Sequence, residues 1–287
     1  MNIKNKIAFA TTLFPIDLSI LFEFFNSLDN QTYKDFDLVI LNDNFNDLNV
    51  ARLKYPKINI VELEFSSTPS KNREHLINYI VDNKYDILIF GDCDDYFEYN
   101  RIEKSIELLK SYSIVINDVS LVNSNQIIKG KYFSENISDL TEINIDFIRQ
   151  KNVMGLSNTA INLSTINRVE FDKELIAVDW YLFSNLLHQK KTAIFTNSTK
   201  TYYRQYDKNT AGLGNINLYV LKKEIEIKEK HYKLMSKIDS KYSILLQNLE
   251  SFKTNFCRKN FEVKFIEKIK ITNKYPLWWD LINLKES

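Results

Sequence analysis

Three carboxylates stand almost side by side in GDCDDYF, where Asp92, Asp94 and Asp95 follow the apolar run Ile87, Leu88, Ile89 and Phe90, with Gly91 as the breaker. A short apolar run of this kind suits a strand buried on both faces, and such a strand delivers side chains to its own carboxyl end. Crowded carboxylates repel one another unless a divalent cation or a cationic partner neutralises them. A solvated acidic turn would show the same residues. The place at the end of a buried strand favours ligand chemistry, because open α/β sheets bind ligands there.

Other chemistry-bearing residues recur at comparable places. Thr11 and Thr12 close a first apolar stretch from Ile7, and Asn42 and Asp43 close a second from Phe36 to Leu41. Asp179 opens the helical pattern VDWYLFSNLL, where an acid is favoured by the helix dipole and an N-terminal cap is the plain alternative. Arg204, in TYYRQYDKNTAGLG, has the fork that pairs with phosphate, although a surface arginine reads the same way.

The elements that must position these groups alternate. Strands are expected over Ile7–Thr11, Phe36–Leu41, Ile58–Leu63 and Ile87–Phe90. A helix with Leu18, Leu21, Phe22 and Phe25 on one face follows the first, and another runs from about Arg73 to Asn83 after a polar loop SSTPSKNRE. This order predicts a parallel sheet with helices on both faces, its polar strand ends sharing one edge. Beyond a helix from Arg101 to Lys110, Ile114–Asn123 and Gln126–Phe133 are expected to pair around a turn at Asn123–Asn125. The segment VMGLSNTAINLS leads into a further strand. Residues Ile216–Met235 and Tyr242–Phe256 carry helical spacing, and His75, His188 and His231 read as ordinary helix residues. The closing YPLWWDLINL, with Trp278 and Trp279 near a basic run from Lys264 to Lys274, fits either a membrane interface or, preferably, burial in the protein's own core.

Composition narrows the classes. The 287 residues carry a formal charge of +1, with 44% hydrophobic and 26% charged residues, an ordinary globular balance that disfavours disorder and nucleic-acid binding driven by bulk charge. The charge is uneven: 15 Lys and Arg against 9 Asp and Glu from Asn215 onward, 23 against 28 before it. Cys93 and Cys257 form neither a disulfide framework nor a ligand cluster, which suggests a reducing cytoplasm. MNIKNKIAFATTLF soon meets Pro15 and Asp17, so a signal peptide is not expected, and no apolar run approaches the roughly 20 residues of a membrane span. Neither G-x-G-x-x-G nor G-x-x-x-x-G-K occurs, so nucleotide phosphates, if bound, are expected to be held through a metal.

Taken in order, a first strand ending in Thr11, LND at Leu41–Asp43, SKNRE at Ser70–Glu74, GDCDDYF at Gly91–Phe97, VDW at Val178–Trp180 and YRQYDKNTAG at Tyr203–Gly212 resemble the nucleotide-sugar glycosyltransferases of family 2, with the GT-A fold. The last two look like the DWW and YRQH-x-x-N-x-x-G elements of bacterial rhamnosyltransferase-like members, and the likeness covers Lys6 to Gly214. It departs where the family's D-D-G-S is here Asn42, Asp43, Asn44 and Phe45, and where Tyr206 replaces a frequent histidine.

The resemblance implies a mostly parallel, Rossmann-like GT-A sheet flanked by helices over residues 1–214, with a nucleotide-sugar half 1–111 and an acceptor half 112–214, followed by a helical basic extension 215–287. It implies an inverting, Mn²⁺- or Mg²⁺-dependent transfer from a UDP- or dTDP-sugar to a glycan or lipid-linked acceptor in surface polysaccharide assembly. Asp94, with Asp92, would hold the metal, and Asp95 would support them. Thr11, Asp43, Asn72, Arg73, Asp92 and Arg204 would contact the donor, Asp43 at the nucleobase or ribose. Asp179 would be the general base, supported by Trp180, Gln205 and Tyr206. A cytoplasmic protein follows, with peripheral contact at the inner face of the membrane and a homodimer both left open. A sugar nucleotidyltransferase is the rival enzyme class, though Thr11–Leu21 lacks its glycine-rich basic loop; a non-catalytic GT-A-like binding module is the other alternative.

Overall fold

The computed structural model describes residues 5–123, 126–205, 217–256, 261–272 and 277–284. They divide into two compact units. The first comprises residues 1–144, 153–174 and 190–204, the second 145–152, 175–189 and 205–287. The expected division runs along the chain at residue 214, whereas the compact units interleave.

Unit 1 opens with β1 (Ile7–Leu13), α1 (Leu18–Asp29), β2 (Asp37–Asn42), α2 (Leu48–Lys54), β3 (Asn59–Glu64), α3 (Pro69–Asp82) and β4 (Ile87–Phe90). β1 is buried along its whole length, and α1 turns Leu21, Phe24, Phe25 and Leu28 inward at helical spacing. The segment SSTPSKNRE, expected as a loop, is mostly helix: Thr68 accepts the Lys71 N–H and Pro69 occupies the first turn, a combination that starts helices. The chain continues through β5 (Tyr96–Phe97), α4 (Arg101–Leu108), β6 (Ile114–Asn123), β7 (Gln126–Lys129), β8 (Thr159–Asn162) and, after a passage through unit 2, β9 (Ala193–Arg204).

Among the described residues, nine strands form one sheet in the order β3-β2-β1-β4-β8-β6-β9-β5, with β7 beside β6. β3, β2, β1 and β4 are mutually parallel, as the alternation predicts. β8 runs antiparallel to β4 and β6, β9 runs parallel to β6, and β5 is antiparallel to β9. The acidic stretch therefore leaves the middle of the sheet at β4 and re-enters at its far edge as β5.

Unit 2 holds α5 (Ile145–Ile148), α6 (Val178–His188), α7 (Leu218–Met235), α8 (Lys241–Phe256), α9 (Phe261–Thr272) and the segment Leu277–Leu284. Its core is aromatic. Trp180, fully buried, stacks on His231 at 3.9 Å between ring centres and meets Trp278 edge-on at 5.8 Å. His231 is a helix residue, as expected, but burial drives its imidazole pKa well down, so it packs as a neutral ring. Trp278 and Trp279 are buried here, so the membrane-interface reading of the closing tryptophans does not hold. The reason lies on α7, where Glu224 and Lys228, both fully enclosed, form an ion pair at 2.7 Å. The Lys228 ammonium also donates to the Trp279 carbonyl at 3.1 Å and to the Ile282 carbonyl, while Glu224 accepts the Ile282 N–H at 3.0 Å. Two charges thus satisfy the backbone of the closing segment, and its apolar side chains fill the surrounding core.

Burial pushes the Glu224 carboxyl up to about 7 against the opposing pull of Lys228. A carboxyl pKa raised on folding gives stability that is present below its unfolded value and is lost as pH rises through about 7. Lys228→Met removes the partner and raises the carboxyl further, so it should destabilise unit 2 by about 3–5 kcal/mol, more at pH 8 than at pH 5. All three tryptophans lie in unit 2, so denaturant unfolding followed by tryptophan fluorescence reads this effect selectively.

Candidate active site

The carboxyl ends of β1, β2 and β4 meet through their backbones. Asp43 N–H donates to Leu13 O at 2.7 Å and Gly91 N–H to Ala10 O at 3.1 Å. Gly91 sits where no side chain fits: a Cβ there would lie 2.5 Å from the Phe9 ring and 2.6 Å from the Phe97 ring. Those rings pack at 5.1 Å between centres, and the Arg101 guanidinium lies over Phe97 at 4.4 Å. Arg101 is fully buried; it donates to the Phe90 carbonyl and to Asn117 Oδ1 at 3.0 Å. Burial lowers its pKa to about 9, opposed by Asp95 and Asp92, and it remains a cation at neutral pH. The exit of β4 is therefore fixed from beneath by two rings and one buried positive charge.

Beyond Gly91 the carboxylates separate by burial. Asp95 is enclosed: one oxygen accepts the Ser157 hydroxyl and the other the Arg204 N–H at 2.8 Å. Burial first, and the neighbouring Asp94 and Asp92 charges second, push its pKa well up. Asp92 and Asp94 remain half-buried. Asp92 takes a salt bridge from Arg73 at 2.9 Å, and the other arm of Arg73 donates to Thr12 Oγ1. Cys93 faces inward as a buried spacer whose thiol is pushed up by burial.

Asp43 is held by Asn72, whose amide donates at 2.9 Å, and by Asn44 at 3.2 Å. Asn44 has φ 64°, in the left-handed region. Asparagine tolerates that region better than other side chains, which explains why the turn survives without the expected glycine. A cleft of about 540 Å³ opens beside this turn, lined by Asn44, Phe45, Glu62, Glu64 and Phe65 among others. No Lys or Arg is among its described lining residues.

Several sequence expectations shift in detail. Thr11 was expected at the end of β1; it lies inside the strand, opposite Ile40, with its hydroxyl buried and unpaired among the described residues. The register with β2 continues to Leu13, and Thr12 is the threonine that reaches Arg73. Arg204 is brought to the acidic loop, but as a brace: its Nε donates to the Asp94 carbonyl at 2.9 Å, its fork pairs with Glu23, and its face lies 5.6 Å from the Tyr96 ring centre. Asp179 and Trp180 lie in unit 2, where Gln205 is also buried; Tyr206 lies outside the described residues. At the start of α6, Asp179 Oδ1 accepts the Trp180 N–H at 2.8 Å and Oδ2 accepts the Asn152 amide at 2.9 Å. Arg101, Asn152 and Glu23 were missed in sequence. Their roles come from distant partners, and only the closeness of Arg101 to the acidic stretch was a signal.

The residues fit a divalent cation. Among the described residues, no three His, Cys, Asp or Glu side chains converge as a complete cage. Small hard cations, however, are held by one or two carboxylates together with substrate phosphates, and Asp92 and Asp94 offer hard oxygens beside a carboxyl already strained by their charge.

Comparison with known proteins identifies the setting. The model of the family "Glycosyl transferase family 2" matches residues 18–176, more than half of the chain, and the chain belongs to this family. No curated protein matches the sequence. Among solved structures, Staphylococcus aureus TarS 1-349 in complex with UDP-GlcNAc superposes with a TM-score of 0.63 at 16% identity, covering 91% of this chain and 78% of that one. The chain spans 47% of the longer TarS structure. The mannosyltransferase PcManGT from Pyrobaculum calidifontis, in complex with GDP-Man and Mn²⁺, gives a TM-score of 0.55 at 10% identity over 82% of this chain and 65% of that one. The fold is thus the mixed α/β GT-A fold that the order of motifs implies, and the protein is a glycosyltransferase.

Gly91→Ala tests the packing that aims the acidic loop. The added methyl must displace two enclosed rings, so the variant should lose about 1–3 kcal/mol of stability, read as a lowered denaturation midpoint by circular dichroism.

Proposed function

We propose that this family 2 glycosyltransferase is an inverting, metal-dependent enzyme that moves a sugar from a nucleoside-diphosphate donor to a hydroxyl of a glycan or lipid-linked acceptor in surface polysaccharide assembly. The observation that supports this most is the division of labour in GDCDDYF: Asp95 is buried and braced, while Asp92 and Asp94 stand half-buried beyond a strand end shared with Asp43. The solved neighbours, one bound to UDP-GlcNAc and one to GDP-Man with Mn²⁺, are in keeping with a donor of this class; a UDP- or dTDP-sugar is our choice.

In this reading Asp94, assisted by Asp92, holds Mn²⁺ or Mg²⁺, which when bound offsets the charge developing on the departing diphosphate. Asp43, fixed by Asn72, takes the nucleobase or ribose, and Arg73 orders the two strand ends that receive the nucleotide. Arg204 presents the acidic loop and lends positive charge beside the phosphates. The acceptor oxygen attacks the anomeric carbon from the face opposite the leaving group, forming the new C–O bond. The bond to the phosphate oxygen breaks, and its electron pair leaves with the nucleoside diphosphate. An alcohol is a weak nucleophile at neutral pH, so a carboxylate must take its proton; Asp179 is that base, with Trp180, Gln205 and Tyr206 as its support. With Trp278 and Trp279 packed inward, the exposed Lys264 and Lys270 of α9 are among the groups of this chain that would meet an anionic membrane surface.

Two substitutions separate the roles. Asp94→Ala should abolish the Mn²⁺-dependent part of UDP binding in calorimetry; equal affinity with and without metal in the parent protein would remove the metal from the account. Asp179→Asn should keep UDP affinity while lowering kcat by about 10²–10⁴-fold, and undiminished turnover would exclude Asp179 as the base.

A further inference from the structure

We propose that Asn152 is the positioning residue for Asp179, carried on a brace, Ile148–Asn152, whose backbone and side chains are tied to three other elements of unit 2. The proposal rests on Asp179 being the base.

Asn152 is 3% exposed. Its Nδ2 donates to Asp179 Oδ2, while its own Oδ1 is buried without a partner among the described residues. A half-satisfied buried amide costs about 1–3 kcal/mol, so fold stability alone does not favour asparagine here. What the amide gains is a hold on one carboxylate oxygen while the Trp180 N–H holds the other. With both oxygens engaged, the carboxylate plane is set before any acceptor arrives, and pre-set geometry of this kind is worth large rate factors.

The brace itself is anchored residue by residue. The Ile148 carbonyl accepts the Trp180 indole N–H at 2.8 Å. Arg149 pairs with Asp239, between α7 and α8, at 2.7 Å, with Asp146 at 2.6 Å, and lies 4.8 Å from the Tyr242 ring centre. The Gln150 side chain donates to the Leu284 carbonyl and accepts the Leu284 N–H, both at 2.9 Å. The closing segment, pinned by Glu224 and Lys228, thereby reaches within two residues of Asn152.

A double-mutant cycle tests this, with UDP affinity by calorimetry and steady-state transfer as readouts. Asn152→Ala should lower kcat by about 10–100-fold with UDP affinity unchanged, and should cause no further loss when added to Asp179→Asn. Gln150→Ala, which keeps the amide but frees its anchor, should give a smaller loss with the same dependence on Asp179, and stands in for Asn152→Ala if that variant does not fold. An equal loss in the Asp179→Asn background, or unchanged kcat while Asp179→Asn is inactive, overturns the positioning role alone. Full turnover by Asp179→Asn overturns the base reading and this inference with it.

Discussion

Like charges crowded at one strand end must be compensated, and the architecture of unit 1 follows from how Asp92, Asp94 and Asp95 are. Each carboxylate receives a different solution. Asp95 is withdrawn from water, where burial and its neighbours favour the neutral form and Ser157 and the Arg204 backbone occupy its oxygens. Asp92 is given to Arg73. Beneath them Arg101 supplies a buried positive charge. Asp94 contributes its backbone carbonyl to the Arg204 Nε.

Unit 2 solves the opposite problem, bringing charge into a core instead of keeping it at an edge. Glu224 and Lys228 occupy positions of the apolar stripe of α7, alongside Leu221, His231, Tyr232 and Met235. Such a pair adds little net stability over apolar residues of the same size. Its structural product is specific: it fixes the backbone at Trp279 and Ile282, and so seats a segment whose packing partners include Trp180, the neighbour of Asp179.

Where strands are buried and apolar, sequence patterning was informative. The four parallel strands, the helix that Asp179 opens and the acidic strand end all follow from short apolar runs that meet polar residues. β5 spans only two residues and has no pattern to show. Most of β9 was missed because its buried residues include Thr196, Thr199 and Thr201, polar side chains that do not announce a core by hydrophobicity; Thr196 donates to Asp139 and Thr201 to the Ser157 carbonyl. Glu224 and Lys228 made α7 look half solvated for a related reason: a buried ion pair is indistinguishable in sequence from an exposed one. The interleaving of the two units was illegible because it depends on which distant helices α5 and α6 pack against. At the site, Asn72 meets Asp43 and Arg73 meets Asp92, whereas Arg101 and Asn152 draw their meaning from contacts 11 to 27 residues away.

In the proposed function the acidic strand end serves metal-assisted departure of a nucleoside diphosphate. This role is tested most directly by incubating the full chain with UDP-, dTDP- and GDP-sugars and measuring nucleoside diphosphate release with Mn²⁺ and with a chelator. Release is expected from at least one donor with Mn²⁺ and is lost on chelation. Release that is indifferent to the chelator, or no release from any donor in the presence of metal, would contradict it.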